Sequence, residues 1–138
     1  MTNILRIAAV VSAAALASSS TAMSPQPGSS KAQQELAKAL AGRVAGEPVN
    51  CINDFRSQIR MTVIDDYTLL FRGAGAVYLQ KPPGGCTNIS NKTNALTTRR
   101  TSTNQLCAGD ISQVVQPSSG IFLGSCAFGP FVPYKKGG

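Results

Sequence analysis

The sequence predicts a small all-β domain, an antiparallel barrel or sandwich stapled by two disulfides, with one short helix on its N-terminal side. Three observations carry this expectation. From residue 48 to 134 the chain is a series of short apolar runs broken at close intervals by Gly, Pro, Asn and Asp, which is the pattern of strands and turns. Four cysteines, Cys51, Cys86, Cys107 and Cys126, follow an N-terminal export signal, and thiols that leave the reducing cytoplasm become disulfides. Helical spacing recurs only over 32–40.

Residues 1–22 read as the signal. Arg6 supplies its positive start, and Ile7 to Ala17 is apolar except for Ser12. Ser20-Thr21-Ala22 offers the small residues of a cleavage site after Ala22, with Ala15-Leu16-Ala17 as a second site. The apolar run is much shorter than the roughly 20 residues of a spanning helix, so no membrane span is expected in the mature chain. The remainder, residues 23–138, is enough for one domain. It divides into a linker and short helix over 23–46, a β domain over 47–134 and a basic tail over 135–138.

Met23 to Ser30 has linker composition. Ser30 and Gln33 fit a Ser-x-x-Gln capping box, Ala32, Leu36 and Leu40 form one apolar stripe, and Gly42 is a natural stop. This helix either packs its stripe on the domain or stands off as a stalk. Ile59 to Ile64 alternates with period two, and Asp65-Asp66 supplies a turn. Thr68–Arg72 and Ala76–Gln80 follow, separated by Gly73-Ala74-Gly75. Two short connections in succession predict a meander of three antiparallel strands. Thr87 to Asn94 is polar and reads as a loop. Further strands are expected at Leu96–Thr101, Gln105–Cys107, Ile111–Val115 and Ile121–Phe128, with turns at 108–110 and 117–120.

Four cysteines allow three connectivities, and their spacing does not decide among them. Adjacency favours one. Cys86 and Cys107 bracket the polar loop, while Cys51 opens the β region and Cys126 lies in its last expected strand. First and last strands are often neighbours, so Cys86–Cys107 and Cys51–Cys126 are the expected bridges. There is no Cys-x-x-Cys pair, which argues against zinc or dithiol redox chemistry and for structural bridges. Aromatics are only 6% of the chain and Trp is absent, so the core is modest and the bridges matter to stability.

The chain carries a net charge of +7. Its basic side chains are scattered, with adjacent pairs only at Arg99-Arg100 and Lys135-Lys136, and no basic run interleaves with aromatics. That distribution argues against nucleic acid and for attraction to anionic surroundings. Histidine is absent, which removes the common proton shuttle and the Ser-His-Asp and Cys-His arrangements. No metal or other cofactor is expected. Asp65-Asp66 reads as a hairpin turn rather than a carboxylate pair. Four residues are candidates for ligand contact: Asp110, which otherwise reads as a turn residue; Arg99 and Arg100, one of which could face a groove; and Tyr78, which otherwise reads as half-buried packing.

Four strings carry a resemblance: Cys51-Ile52; Ile64-Asp65-Asp66-Tyr67-Thr68-Leu69-Leu70-Phe71; Leu106-Cys107-Ala108-Gly109-Asp110; and Gly124-Ser125-Cys126-Ala127-Phe128-Gly129-Pro130-Phe131-Val132-Pro133-Tyr134. Over about residues 42–134 the chain resembles a set of small exported proteins of Gram-negative bacteria, grouped as a domain of unknown function. The resemblance implies a periplasmic or secreted setting and a structural role for all four cysteines, and brings no catalytic or binding residue. The resulting expectation is a monomeric, non-enzymatic envelope protein that binds a partner outside the cytoplasm, with inhibition of an exported hydrolase through residues 87–94 as the alternative.

Overall fold

The stripe at 32–40 does form a helix, and it packs. The computed structural model describes residues 29–53, 59–73, 75–100 and 104–138. The expected signal at 1–22, most of the linker, Ala74 and Thr101 lie outside the described residues. Helix α1 spans Ser30–Leu40. Its N-cap is Ser29 rather than Ser30: the Ser29 hydroxyl accepts the Ala32 N–H at 3.3 Å, and the Ser29 carbonyl accepts the Gln33 N–H at 3.1 Å. Starting one residue earlier gains that extra backbone bond and leaves Ser30 inside the first turn. Gly42, at φ +68°, ends the helix as expected.

Ten strands follow among the described residues: β1 Arg43–Ala45, β2 Cys51–Asn53, β3 Arg60–Asp65, β4 Thr68–Arg72, β5 Ala76–Gln80, β6 Ala95–Arg99, β7 Gln105–Cys107, β8 Ile111–Gln116, β9 Ile121–Ala127 and β10 Phe131–Lys136. The meander is present as β3-β4-β5. It belongs to a five-stranded sheet in the order β1-β10-β5-β4-β3; β6-β8-β9 form a second sheet and β2-β7 a two-stranded ribbon, all antiparallel. The large sheet keeps β1 and β3 as edges, so of the expected barrel or sandwich it is the open sandwich that forms.

The large sheet is covered on both faces. On one face Leu70, Val77 and Leu79 meet Leu36, Ala39 and Leu40 of α1. On the other, Leu69, Phe71 and Phe131 share a core with Val114 and Cys126 of the second sheet and Ile52 and Leu106 of the ribbon. Phe71 sits edge-on to Phe128 and to Phe131, at 5.7 Å in each case. Burial on two faces explains why Thr68 to Phe71 reads as a continuous apolar-rich run where β3 alternates. Gln80, fully buried, spans the start of β10. Its amide donates to the Gly129 carbonyl at 2.6 Å and accepts the Gly129 N–H at 3.1 Å.

Strand β10 has no counterpart in the sequence expectation, because Pro133 argues against a strand with neighbours on both sides. Its place explains the tolerance. The Pro133 carbonyl accepts the Gly46 N–H at 2.8 Å, so the missing N–H also faces the β1 side. There the pairing lapses after Ala45 and resumes only at the single bridge Val49–Phe131. Lys135 and Lys136, expected as a tail, are the end of β10, opposite Val44 and Arg43.

The bridges are Cys51–Cys107 and Cys86–Cys126, which overturns the expected pairing. Cys51 and Cys107 face each other directly across β2 and β7, with Cα atoms 4.0 Å apart. Cys86 reaches from the end of the meander to β9. First and last strands do lie side by side, but they are β1 and β10, and neither carries a cysteine. The loops close 56 and 40 residues, so their chain-entropy contributions are nearly equal, each about 4 kcal/mol. Packing then separates them, because Cys86 and Cys126 are buried in the core while Cys51 and Cys107 are half-buried. Replacing both Cys86 and Cys126 by Ala is expected to cost more in urea unfolding than replacing Cys51 and Cys107, since it also leaves a cavity. Equal losses, or the reverse order, would contradict this core.

Candidate functional site

The loop expected at 87–94 is held to the β3–β4 turn through its backbone. The chain leaves β5 through Pro82-Pro83-Gly84-Gly85 and crosses the β3–β4 turn. There the Asp66 carbonyl accepts the Cys86 N–H at 2.6 Å. The Asp66 carboxylate then accepts two loop amides, Asn88 at 3.1 Å and Ser90 at 2.8 Å. Asn88 takes a left-handed conformation, φ 69°, and the Asn94 side chain closes the loop by donating to the Asn88 carbonyl at 2.7 Å. Ile89 is driven into the core and Cys86 is bonded to Cys126, while Asn88, Ser90, Asn91, Lys92 and Thr93 remain exposed. The result is a short polar loop with a pre-set backbone.

Gly85 makes the crossing possible. It sits at φ +75°, and a Cβ there would lie 2.7 Å from the Tyr67 ring and 2.9 Å from the Asp66 carbonyl oxygen. Asp65 accepts the Tyr67 N–H at 2.8 Å, as an Asx turn does. So Asp65-Asp66 is a turn, as expected, but only Asp65 serves it. Asp66 reaches out to the loop, and adjacency in sequence held no sign of that partner 22 residues away.

Beside the loop, a cleft of about 510 Å³ opens between α1 and β3, with Lys31, Glu35, Thr62, Ile89, Ser90 and Lys92 among its walls. A second cleft, of about 530 Å³, lies where β4 and β10 end. Arg43, Arg72, Lys135 and Lys136 line it, with the chain at Gly73 and Gly75.

The four residues singled out for ligand contact line neither of these clefts. Asp110 is fully buried, and its carboxylate accepts the Cys107 N–H at 2.8 Å. Its carbonyl accepts the Phe128 N–H at 3.1 Å, so it knits β7 to the end of β9. Tyr78 is half-buried against the central core from β5. Arg99 and Arg100 are exposed at the end of β6, with Arg99 opposite Ile111, the neighbour of Asp110. Asp110 and the arginines thus share one corner of the fold, and Tyr78 sits in another layer. Among the described residues no group of three or more Cys, Asp or Glu side chains is placed to hold a metal ion.

In comparisons with known proteins, no family model, curated protein or solved structure matches this chain.

Two substitutions test the loop. Asp66→Ala removes one acceptor from two amides and is expected to cost about 1 kcal/mol while speeding hydrogen exchange at Asn88 and Ser90. Unchanged exchange there would mean the carboxylate does not hold the loop. Gly85→Ala is expected to lower the melting temperature more than Gly84→Ala, because both positions have positive φ but only Gly85 is crowded. Equal melts would remove the close crossing from the account.

Proposed function

We propose that this chain is an exported, non-enzymatic binding module of the bacterial envelope, working in the periplasm or beyond it. One observation carries the reading: all four cysteines are joined in two disulfides. Such bonds persist in oxidising compartments and are rare in the cytosol. The apolar, Arg6-led start of the sequence and the motif resemblance to small exported proteins of Gram-negative bacteria support the same place. No helix among the described residues is long and apolar enough to cross a membrane.

The absence of His from the chain supports binding over catalysis. So does the use of Asp110, the carboxylate most isolated in sequence, to hold the Cys107 amide. The clamped loop favours a second reading, inhibition of an exported hydrolase, because a rigid loop enters a partner's cleft with little entropy left to lose.

The test is alkylation of living cells followed by fractionation. The chain is expected outside the cytoplasm with all four cysteines unmodified by the reagent. Cytoplasmic protein with reactive thiols would contradict the proposal. For the second reading, exported hydrolase activity is assayed with the purified chain and with Asp66→Ala. Inhibition that weakens in the variant supports the loop as the contact, and no inhibition by either removes the reading.

A further inference from the structure

The cleft at the end of β4 and β10 has four basic residues and no acidic one in its lining, Arg43, Arg72, Lys135 and Lys136, of which Arg43, Arg72 and Lys136 share one face of the sheet. Strand register makes this arrangement unfavourable to folding. Arg43 stands directly opposite Lys136 across β1 and β10, and Arg60 directly opposite Arg72 across β3 and β4. Residues directly opposite in antiparallel strands share a face, and like charges so placed repel. Both pairs point to one face. Arg72 is opposite Val77, Val77 is opposite Tyr134, and Lys136 is two residues further along β10.

The described Asp and Glu side chains sit elsewhere. Asp65 and Asp66 are at the far end of β3, and Glu47 lies past the far end of β1. Glu35 lines the other cleft and Asp110 is buried at the β7–β8 turn. The sheet is therefore polarised along its strands, with two like-charged cross-strand pairs at one end. A local choice that opposes the fold in this way is the mark of a functional site.

We infer that this cleft binds an anionic ligand with closely spaced phosphate groups. The chemistry selects phosphate. Two guanidinium forks match its oxygens in bidentate fashion, and the Lys136 ammonium on the same face adds point charge. Three cations on one face exceed what a single carboxylate neutralises. The volume falls within the roughly 300–1,000 Å³ of small-ligand sites. Such groups occur on phosphorylated lipid headgroups and on free polyphosphates, and the cleft recognises what the two share. This inference deepens the binding reading and rests on it. Reactive thiols in the native protein would sink the export reading without changing the result below.

The experiment uses the oxidised protein at low ionic strength, with sodium tripolyphosphate in a thermal melt and flotation on phosphatidylcholine vesicles with or without cardiolipin. Arg72→Gln/Lys136→Gln removes one member of each like-charged pair, and Lys31→Gln/Lys92→Gln removes the same charge at the other cleft. Tripolyphosphate should raise the melting temperature of the wild type and the Lys31/Lys92 variant, and affinity should be about tenfold or more weaker in Arg72→Gln/Lys136→Gln. Without ligand, that variant should melt no lower than the wild type, because repulsion has been relieved. A response to tripolyphosphate alone assigns a soluble ligand, cardiolipin-dependent flotation alone assigns a headgroup, and either supports the site. No response in both arms, an equal response in the Arg72/Lys136 variant, or a lower melt for that variant without ligand would overturn it.

Discussion

The bond between Cys86 and Cys126 is the constraint on which the rest of the architecture leans. Cys86 sits where the meander ends, its backbone held to Asp66 of the β3–β4 turn, and Cys126 belongs to β9 of the second sheet. The link therefore ties one layer of the sandwich to the other across the core. Cys51–Cys107 instead staples β2 to β7 within the ribbon, and in chain order the two bridges interleave, so neither loop opens independently. Three phenylalanines and a handful of aliphatic side chains form the central core. Each bridge contributes about 4 kcal/mol in the chain-entropy account, against net stabilities of about 5–15 kcal/mol for ordinary domains. Sulfur thus takes over work that a larger apolar interior would do.

The proposed binding role draws on the same rigidity. The loop at 87–94 is anchored at its base by a disulfide, in its middle by Ile89 in the core, and along its backbone by the Asp66 carboxylate. Apart from Lys92, its exposed side chains are short and polar, suited to hydrogen bonding with little ordering left to do. The basic end of the five-stranded sheet is a separate surface made by strand ends rather than by a loop. One small frame thereby offers two distinct surfaces, a clamped polar loop and a cationic strand end.

Local signals in the chain were good guides where the causes were local. Alternation in Ile59–Ile64, the Gly and Asp turns, and the stripe Ala32, Leu36, Leu40 each point to the element that forms. That Val77 and Leu79 share one face, with Tyr78 on the other, is readable from period two. What escaped was long-range. Pro133 hides β10, because only the lapse of β1 beside it makes a proline harmless there. With β10 unseen, β9 passes for the last strand, and the reasoning that pairs first with last draws the wrong cysteines together. The basic residues look scattered along the chain, yet three strands that end together bring Arg43, Arg72, Lys135 and Lys136 to one cleft. The chemistry of Asp110 marks it as a candidate contact, and burial turns that chemistry inward.

The measurement that tests this account most directly is disulfide mapping of the unreduced protein by mass spectrometry. Neither Lys nor Arg separates Cys107 from Cys126, so the digest must also cut at Asp110. The fold predicts peptides joined through Cys51 and Cys107 and through Cys86 and Cys126. Recovery instead of Cys86 joined to Cys107, or of Cys51 joined to Cys86, would contradict the arrangement of layers on which everything else stands.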